Sequence, residues 1–397
     1  LDVNLQIRPR FEYRNGYKTL LPEGQEGTSQ ISQRSRLNFN YKQEDLTVKL
    51  TLQNTRTWGD VSPTATKDQN GVAVFEAWAQ YDFTPKWSAK MGRQVLSYDN
   101  QRILGEQDWG QQAQSHDALT VSFHPENQNL DLGIAYNSDA ENTFQTPYKV
   151  ANYKAMQYAW YHTTFDKVGA SLLLLNTGYE YANQQSKLLV DYTQTFGTYL
   201  AYKTDKIDTN LSAYGQTGKS ADKQVSAWNA ALNFGYNITN SFKAGLGYEF
   251  LSGKDSNNKS TVVKSFNPIF GTNHAFNGYM DYFYVGGGHL NNVGLQDAFL
   301  KLNYNVNKWQ FALMPHVFLA AADVVTPLNE KMDSYLGTEI DATFGYNFKK
   351  DIVVSGGYSQ MFGSKTLEYI KTGDASHTNN WAWLMISVNP RIFSWKK

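Results

Sequence analysis

The feature that most constrains the fold is a regular alternation of apolar and polar residues along the chain. The first segment, residues 1–14, has the sequence LDVNLQIRPRFEYR, and its apolar positions are Leu1, Val3, Leu5, Ile7, Phe11 and Tyr13. A period of two residues is typical of a β-strand whose two faces meet different surroundings. The alternation therefore predicts strands with one apolar face and one polar, partly charged face.

About eighteen such segments follow one another, and the lengths of the connections between them alternate. We expect strands to begin near residues 1, 30, 45, 73, 87, 115, 129, 155, 167, 188, 206, 224, 241, 293, 308, 334, 351 and 380. Eight short joins, such as KQED at residues 42–45, alternate with nine longer connections. Short turns at one edge and long loops at the other are typical of an outer-membrane barrel. The sequence thus predicts an all-β chain, one closed antiparallel up-and-down transmembrane β-barrel over residues 1–397, with periplasmic turns and extracellular loops.

Aromatic residues, which make up 15% of the chain, support the same membrane axis. Rings on the apolar parity stand beside the short joins: Phe39, Tyr41, Tyr81, Phe83, Trp87, Phe234, Tyr236, Phe242, Trp309, Phe344 and Tyr346. Amphipathic rings prefer the depth of the lipid headgroups, so this pattern predicts an interfacial girdle. A large soluble all-β protein is the alternative, but no blade-length repeat is visible to support it.

Composition excludes several other classes of protein. The formal net charge is zero, so no global basic field favours nucleic acid, and the absence of cysteine rules out disulfides and thiolate metal sites. The sequence has no uninterrupted apolar run of about 18 residues, so a membrane-spanning helix is not favoured. The strand-like start predicts a mature chain whose signal peptide has been removed, located in the outer membrane of a Gram-negative cell and surrounded by its lipid.

Two stretches resemble the alginate export family of outer-membrane barrels. The first, MGRQVLSYDNQRILGEQDWGQQAQSHDAL from Met91, contains GRQ, RILG, the pair Asp108 and Trp109, and a following His-Asp. The second is FNPIFGTNHAFNGYMDYF from Phe266, followed by GLQDAF from Gly294. The resemblance implies an eighteen-stranded passive channel without a cofactor, with an Arg-rich constriction for polyuronate in the exporter itself.

Strand parity predicts which charged residues line the pore. The polar face of the first two segments carries Arg8, Arg10, Arg34 and Arg36, and the planar guanidinium group suits carboxylate solutes. Carboxylates, including Glu339 and Asp341, fall on the polar parity as well, which predicts a transverse field like that of a general porin. The alternative role for the arginines is purely structural, as partners that neutralise neighbouring carboxylates.

Arg93 does not fit this parity, because it shares the apolar side with Trp87, Ala89 and Met91. A charge facing lipid near the midplane costs about 2–4 kcal/mol. We therefore expect a bulge at Gly92 that turns Arg93 and Arg102 into the lumen. The alternative is that Arg93 lies above the apolar band.

The longest connection, about residues 252–292, carries the candidate constriction residues His274, Asp281 and His289. It is external by the alternation of connections, and a loop of this length is usually functional. It is expected either to fold into the pore or to form an ordered lid. The spacing of its His and Asp residues predicts no metal site.

The function predicted from these features is a passive channel for anionic polysaccharide or other small hydrophilic solutes. The alternatives are a general, weakly selective porin and a barrel subunit that is plugged by a periplasmic or surface protein partner. An enzymatic barrel is not favoured, because His116 and Asp117 are adjacent on a strand and point to opposite faces. No catalytic residues and no cofactor are expected.

Overall fold

A computed structural model describes residues 1–283 and 293–395 and shows one antiparallel sheet that closes on itself. Its strands are β1 (Asp2–Asn15), β2 (Thr28–Gln43), β3 (Leu46–Thr57), β4 (Ala73–Thr84), β5 (Trp87–Gln94), β6 (His116–Phe123), β7 (Gln128–Tyr136), β8 (Ala155–Phe165), β9 (Val168–Ala182), β10 (Leu188–Lys203), β11 (Ile207–Ser220), β12 (Lys223–Asn237), β13 (Phe242–Leu251), β14 (Leu295–Val306), β15 (Trp309–Leu319), β16 (Tyr335–Lys349), β17 (Ile352–Gly363), β18 (Asn379–Val388) and β19 (Arg391–Ser394). A 3₁₀ turn spans Asn273–Ala275, and one short helix, α1, spans Lys365–Lys371. Within the described residues, no helix combines the length and apolarity needed to cross a bilayer.

The barrel closes between the last strands and β1. Both β18 and β19 pair with β1, and the backbone N–H of Leu5 donates to the carbonyl of Pro390 in the break between them. β18 and β19 are thus two halves of one wall position, so the nineteen strands occupy eighteen positions. The prediction of a closed eighteen-stranded barrel is confirmed, and every predicted strand start lies within two residues of an observed one.

The predicted alternation of short and long connections is wrong at one place. β11 ends at Ser220 and β12 begins at Lys223. Only Ala221 and Asp222 join the two strands, where a long loop was expected. Both residues have positive φ, 47° and 69°. Two positive φ values are the mark of a type I′ turn, whose twist matches that of the flanking strands and lets the hairpin extend.

The outward face is apolar and carries aromatic rings at two levels. On β12, Trp228, Leu232 and Tyr236 are exposed, whereas Asn229 and Gly235, on the other parity, are buried. Near the short turns, the ring of Trp309 lies 4.4 Å from that of Tyr346. The rings lie where the alternating pattern predicts an interfacial girdle.

The buried core lies inside the barrel, where two loops fold into the lumen. Inner loop 1 (residues 95–115) joins β5 to β6, and inner loop 2, described over residues 252–283 and 293–294, joins β13 to β14. They meet backbone to backbone: the N–H of Gly105 donates to the carbonyl of Phe270, and the N–H of Thr272 donates to that of Gln101, both at 2.9 Å. The longest connection was expected either to fold into the pore or to form a lid, and its residues 266–283 fold into the pore.

Candidate functional site

Four arginines form a buried group on the inner face of β1 and β2. Arg8 lies directly opposite Arg34 in the register of the two strands, and Gln6 lies opposite Arg36. The alternation of the strands turns all these side chains inward, and Arg8, Arg10 and Arg34 are almost fully buried. We call Arg8, Arg10, Arg34 and Arg36 the arginine cluster.

Asp108, from inner loop 1, is the shared partner of three members of this cluster. Its carboxylate accepts hydrogen bonds from Arg34 at 2.7 and 3.2 Å, from Arg8 at 3.1 Å and from Arg36 at 3.4 Å. Burial alone would raise the pKa of the Asp108 carboxyl, but the hydrogen bond and the charge of Arg34 outweigh it and hold that pKa below its ordinary value. The cluster therefore fastens inner loop 1 to the wall instead of presenting four free cations.

Trp109 links the arginine cluster to inner loop 2. The guanidinium of Arg10 lies 4.0 Å from the centre of the Trp109 ring and donates to the Trp109 carbonyl at 2.7 Å. On the other loop, the His274 ring stacks on Trp109 at a centroid distance of 4.5 Å. The indole thus lies between a cation and an imidazole, and its electron-rich face attracts the Arg10 cation.

Arg102 faces the lumen, as predicted, but its role is to join the two inner loops to the wall. It forms a bidentate pair with Glu249 of β13, at 2.7 and 3.0 Å, and donates to Asn277 at 2.8 Å. Both side chains of the ion pair are almost fully buried. Since a buried charge needs its partner, this pair fixes inner loop 1 against both β13 and inner loop 2.

Glu339 and Asp341, predicted as pore-lining residues, lie on the inner face of β16 but are covered by inner loop 2. The backbone N–H of Met280 donates to Glu339 at 2.8 Å, and that of Tyr279 donates to Asp341 at 3.3 Å. Gly278 comes directly before Tyr279 and Met280 and has φ of +84°. A Cβ at Gly278 would lie 2.7 Å from a Glu339 oxygen. Only glycine lets the loop approach these carboxylates so closely.

The structure brings His274 and Asp281 together beside the first long loop. His274 Nδ1 lies 2.7 Å from Asp281, whose other oxygen accepts a hydrogen bond from the Tyr17 hydroxyl. Burial and the charge of Asp281 raise the pKa of the Tyr17 hydroxyl well above its ordinary value, so it remains a donor. His289, the third candidate of this loop, lies outside the described residues.

The expectation that Gly92 turns Arg93 inward is wrong. Gly92 has φ of +123°, but the pairing of β5 with β6 runs without a register shift, with Arg93 opposite Asp117 and Gln94 opposite His116. Gln94 and His116 are buried on the inner face. Arg93 and Asp117 therefore lie on the outer face, where they form an exposed ion pair at 2.9 Å.

Among the described residues, two cavities border the inner loops. The outer one, about 420 Å³, is lined on the side of the long loops by cations and carboxylates that include Arg14, Arg56 and Asp60. The inner one, about 760 Å³, opens near the turn between β12 and β13. Both cavities share the lining residues Trp109, Thr272 and His274, which we call the eyelet.

The prediction of site residues missed several members of this arrangement. Asp108 and Trp109 stood only as matching letters of a motif, and nothing in the alternation shows that they reach β1. Glu249 could have been found, because it is a carboxylate on the inward parity of β13, the parity that also carries Lys243. Trp383 was missed because an aromatic residue at an inward position breaks the expected polar lining.

Comparison with known proteins gives a matching family model and several structures of similar fold. The family model described as alginate export matches residues 1–318. No curated protein matches the chain.

Three solved structures share the fold. OccAB4 of Acinetobacter baumannii is 10% identical, with 99% of each chain covered and a TM-score of 0.66. OpdK of Pseudomonas aeruginosa, solved with vanillate, is 13% identical over 98% of each chain, with a TM-score of 0.63. OccK11 (OpdR) of the same organism is 12% identical over 99% of this chain and 96% of its own, with a TM-score of 0.62. At these identities the likeness shows the fold alone.

Proposed function

Since the chain belongs to the alginate export family, and so to the outer-membrane barrel channels, we propose that it conducts small hydrophilic anions by passive diffusion through the eyelet. The solutes that we assign to it are carboxylates such as uronates and their short oligomers. The two cavities suit solutes of that size, whereas a long polysaccharide would have to displace the inner loops.

The observation that carries this proposal is the excess of cations around the path. The outer cavity is lined by Arg10, Arg14, Lys18 and Arg56 against Glu12, Asp60 and Asp281. The charged residues that line the inner cavity are Lys243 and Lys301. Channels select partly by the charge that lines the pore, so this distribution favours anions on both sides of the eyelet.

The carboxylates of the outer cavity keep the preference weak. Glu12 is buried between Arg10, at 3.2 Å, and Arg14, at 3.0 Å, and neutralises part of their charge. A general, weakly selective porin is therefore the second candidate. OpdK, solved with vanillate, shows that a barrel of this fold can be associated with a small carboxylate.

The experiment is a planar-bilayer measurement of the purified protein under a KCl gradient, followed by replacement of chloride with glucuronate. The proposal expects a reversal potential on the anion side of zero and a current that glucuronate can carry. A reversal potential at zero favours the general porin, and a cation preference contradicts the proposal. Complete absence of conductance would favour a barrel that a protein partner plugs or completes.

A further inference from the structure

Aromatic rings border the eyelet on its periplasmic side. Trp109 stacks on His274, and its edge meets the ring of Trp383 at 4.9 Å with an interplanar angle of 72°. His274 also stacks with Tyr279 at 5.6 Å. Trp109, His274, Tyr279 and Trp383 all line the inner cavity, so a solute that leaves the eyelet passes over their rings.

Trp383 lies flat against the barrel wall instead of projecting across the lumen. It faces Gly357 in the register of β17 and β18, and a Cβ at Gly357 would lie 2.4 Å from Nε1 of the indole and 2.8 Å from Cε2. The missing side chain at Gly357 therefore makes room for the indole to cover the backbone of β17. Trp383 is only half-buried, so part of the ring is left to face the cavity.

The neighbour of Trp383 on the same inner face has a different environment. Trp381 is fully buried, and its Nε1 donates to Glu12 at 3.1 Å. Its ring lies 5.6 Å from that of Trp109 in an edge-to-face arrangement. Trp381 therefore supports Trp109, whose faces are covered by Arg10 and His274. Trp383 is the indole that is left half-buried on the inner cavity.

Cations accompany these rings in the same cavity. Lys243 of β13 and Lys301 of β14 line it together with Trp383, and Lys243 is also paired with Asp208 at 2.6 Å. A solute that carries both a ring with an apolar face and a carboxylate can place that face on an indole and the charge toward a lysine. An open-chain acid of equal charge can use only the second contact.

Resting on the anion channel proposed above, we propose that Trp383 is a stacking surface that selects ring-bearing carboxylates, such as uronate pyranoses, over open-chain ones. A pyranose has a face of apolar C–H groups, and burying that face against an indole is favourable because it removes apolar surface from water. The expected discrimination is roughly threefold to tenfold in half-blocking concentration.

The test compares glucuronate, a pyranose, with gluconate, its open-chain counterpart of equal charge and nearly equal mass. Each acid is titrated against the chloride current of single channels in planar bilayers, and its half-blocking concentration is measured. In the unaltered protein, glucuronate should block at roughly threefold to tenfold lower concentration than gluconate. Trp383→Leu should abolish the difference, and Trp383→Phe should keep part of it.

The matched control is Trp228→Leu, which removes an exposed indole from the outer face and should leave the ratio unchanged. Heat-modifiable mobility and a retained chloride current show that each variant folds, and Trp383→Phe serves if Trp383→Leu does not. Equal block by the two acids in the unaltered protein, or a ratio that survives Trp383→Leu, would overturn the inference while the anion channel stands. If chloride and both acids fail to enter, the proposed function itself fails.

Discussion

Arg34 and Asp108 form a bidentate link between the barrel wall and inner loop 1. The guanidinium of Arg34 donates to both oxygens of the Asp108 carboxylate, at 2.7 and 3.2 Å, from a position that is almost fully buried. Arg8 and Arg36 share the same carboxylate. One aspartate thus both neutralises and orders three arginines, so removing its charge should uncover positive charge beside the pore.

Asp108→Asn should increase the preference for anions. The substitution keeps a side chain that can accept hydrogen bonds but removes the charge shared by three guanidinium groups. A unit charge beside the path is worth about 1 kcal/mol to a passing ion. That corresponds to roughly a fivefold rise in the anion-to-cation permeability ratio, read from reversal potentials in a salt gradient.

Asp117→Asn is the control for that change, because it removes the same charge from the outer face, where Asp117 pairs with Arg93. Its reversal potential should match that of the unaltered channel. An equal shift in both variants would mean that net charge, and not the position of Asp108, sets the selectivity.

Arg102→Gln should loosen both inner loops without unfolding the barrel. The substitution leaves the Glu249 carboxylate buried without its cation, which typically costs about 3–5 kcal/mol. That cost falls on the loops, because Arg102 lies on inner loop 1 and also holds Asn277 of inner loop 2. Faster proteolysis within residues 95–115 and 266–283, together with noisier single-channel current, is the expected result.

The comparison for Arg102 is Arg93→Gln, which breaks an ion pair that is exposed on both sides. The Arg93–Asp117 pair lies on the outer face, whereas the inner loops lie in the lumen, so protease sensitivity of the loops and current noise should stay as they are. If the two variants behave alike, the buried pair does not fasten the loops.

The period of two residues predicted the barrel because lipid and lumen impose opposite demands on alternate side chains. It placed Arg8 and Arg34 on one inner face correctly, since neighbouring strands of a meander must pair. The prediction failed at Arg93, because a bulge at Gly92 was expected to turn this charge away from lipid and into the lumen. The exposed partner Asp117 satisfies the arginine on the outer face instead.

The eyelet could not be derived from the same pattern. Asp108 meets Arg8 across a sequence separation of 100 residues, and Arg102 meets Asn277 across 175. Such contacts depend on how two loops fold into a preformed lumen, and strand periodicity carries no information about loop conformation. The sequence hints at such a contact where the backbone requires a glycine, as at Gly278, which lies against Glu339.

The outward face of β12 allows a test of the membrane orientation. Leu232 lies midway between the exposed rings of Trp228 and Tyr236, whereas its neighbour Asn233 faces inward and bonds to Asn210. Leu232→Arg should lower the free energy of unfolding by about 2–4 kcal/mol, because it puts a charge at the depth of the bilayer midplane. Urea unfolding in lipid vesicles measures the change, and Asn233→Arg should cost much less. Equal losses would mean that residue 232 does not face lipid.

Glu106 should make the selectivity depend on pH. Burial, followed by the charge of Asp108, raises the pKa of the Glu106 carboxyl above its ordinary value, whereas the arginines hold that of Asp108 below it. As pH falls, Glu106 is therefore protonated first, and the neighbourhood of the arginine cluster loses a negative charge while Asp108 remains ionised. The reversal potential should move toward anions as pH falls from 7 through the raised pKa of Glu106. Glu106→Gln should show the shifted value already at pH 7 and a smaller change on acidification, and a pH profile identical to that of the unaltered channel would assign the titration to another group.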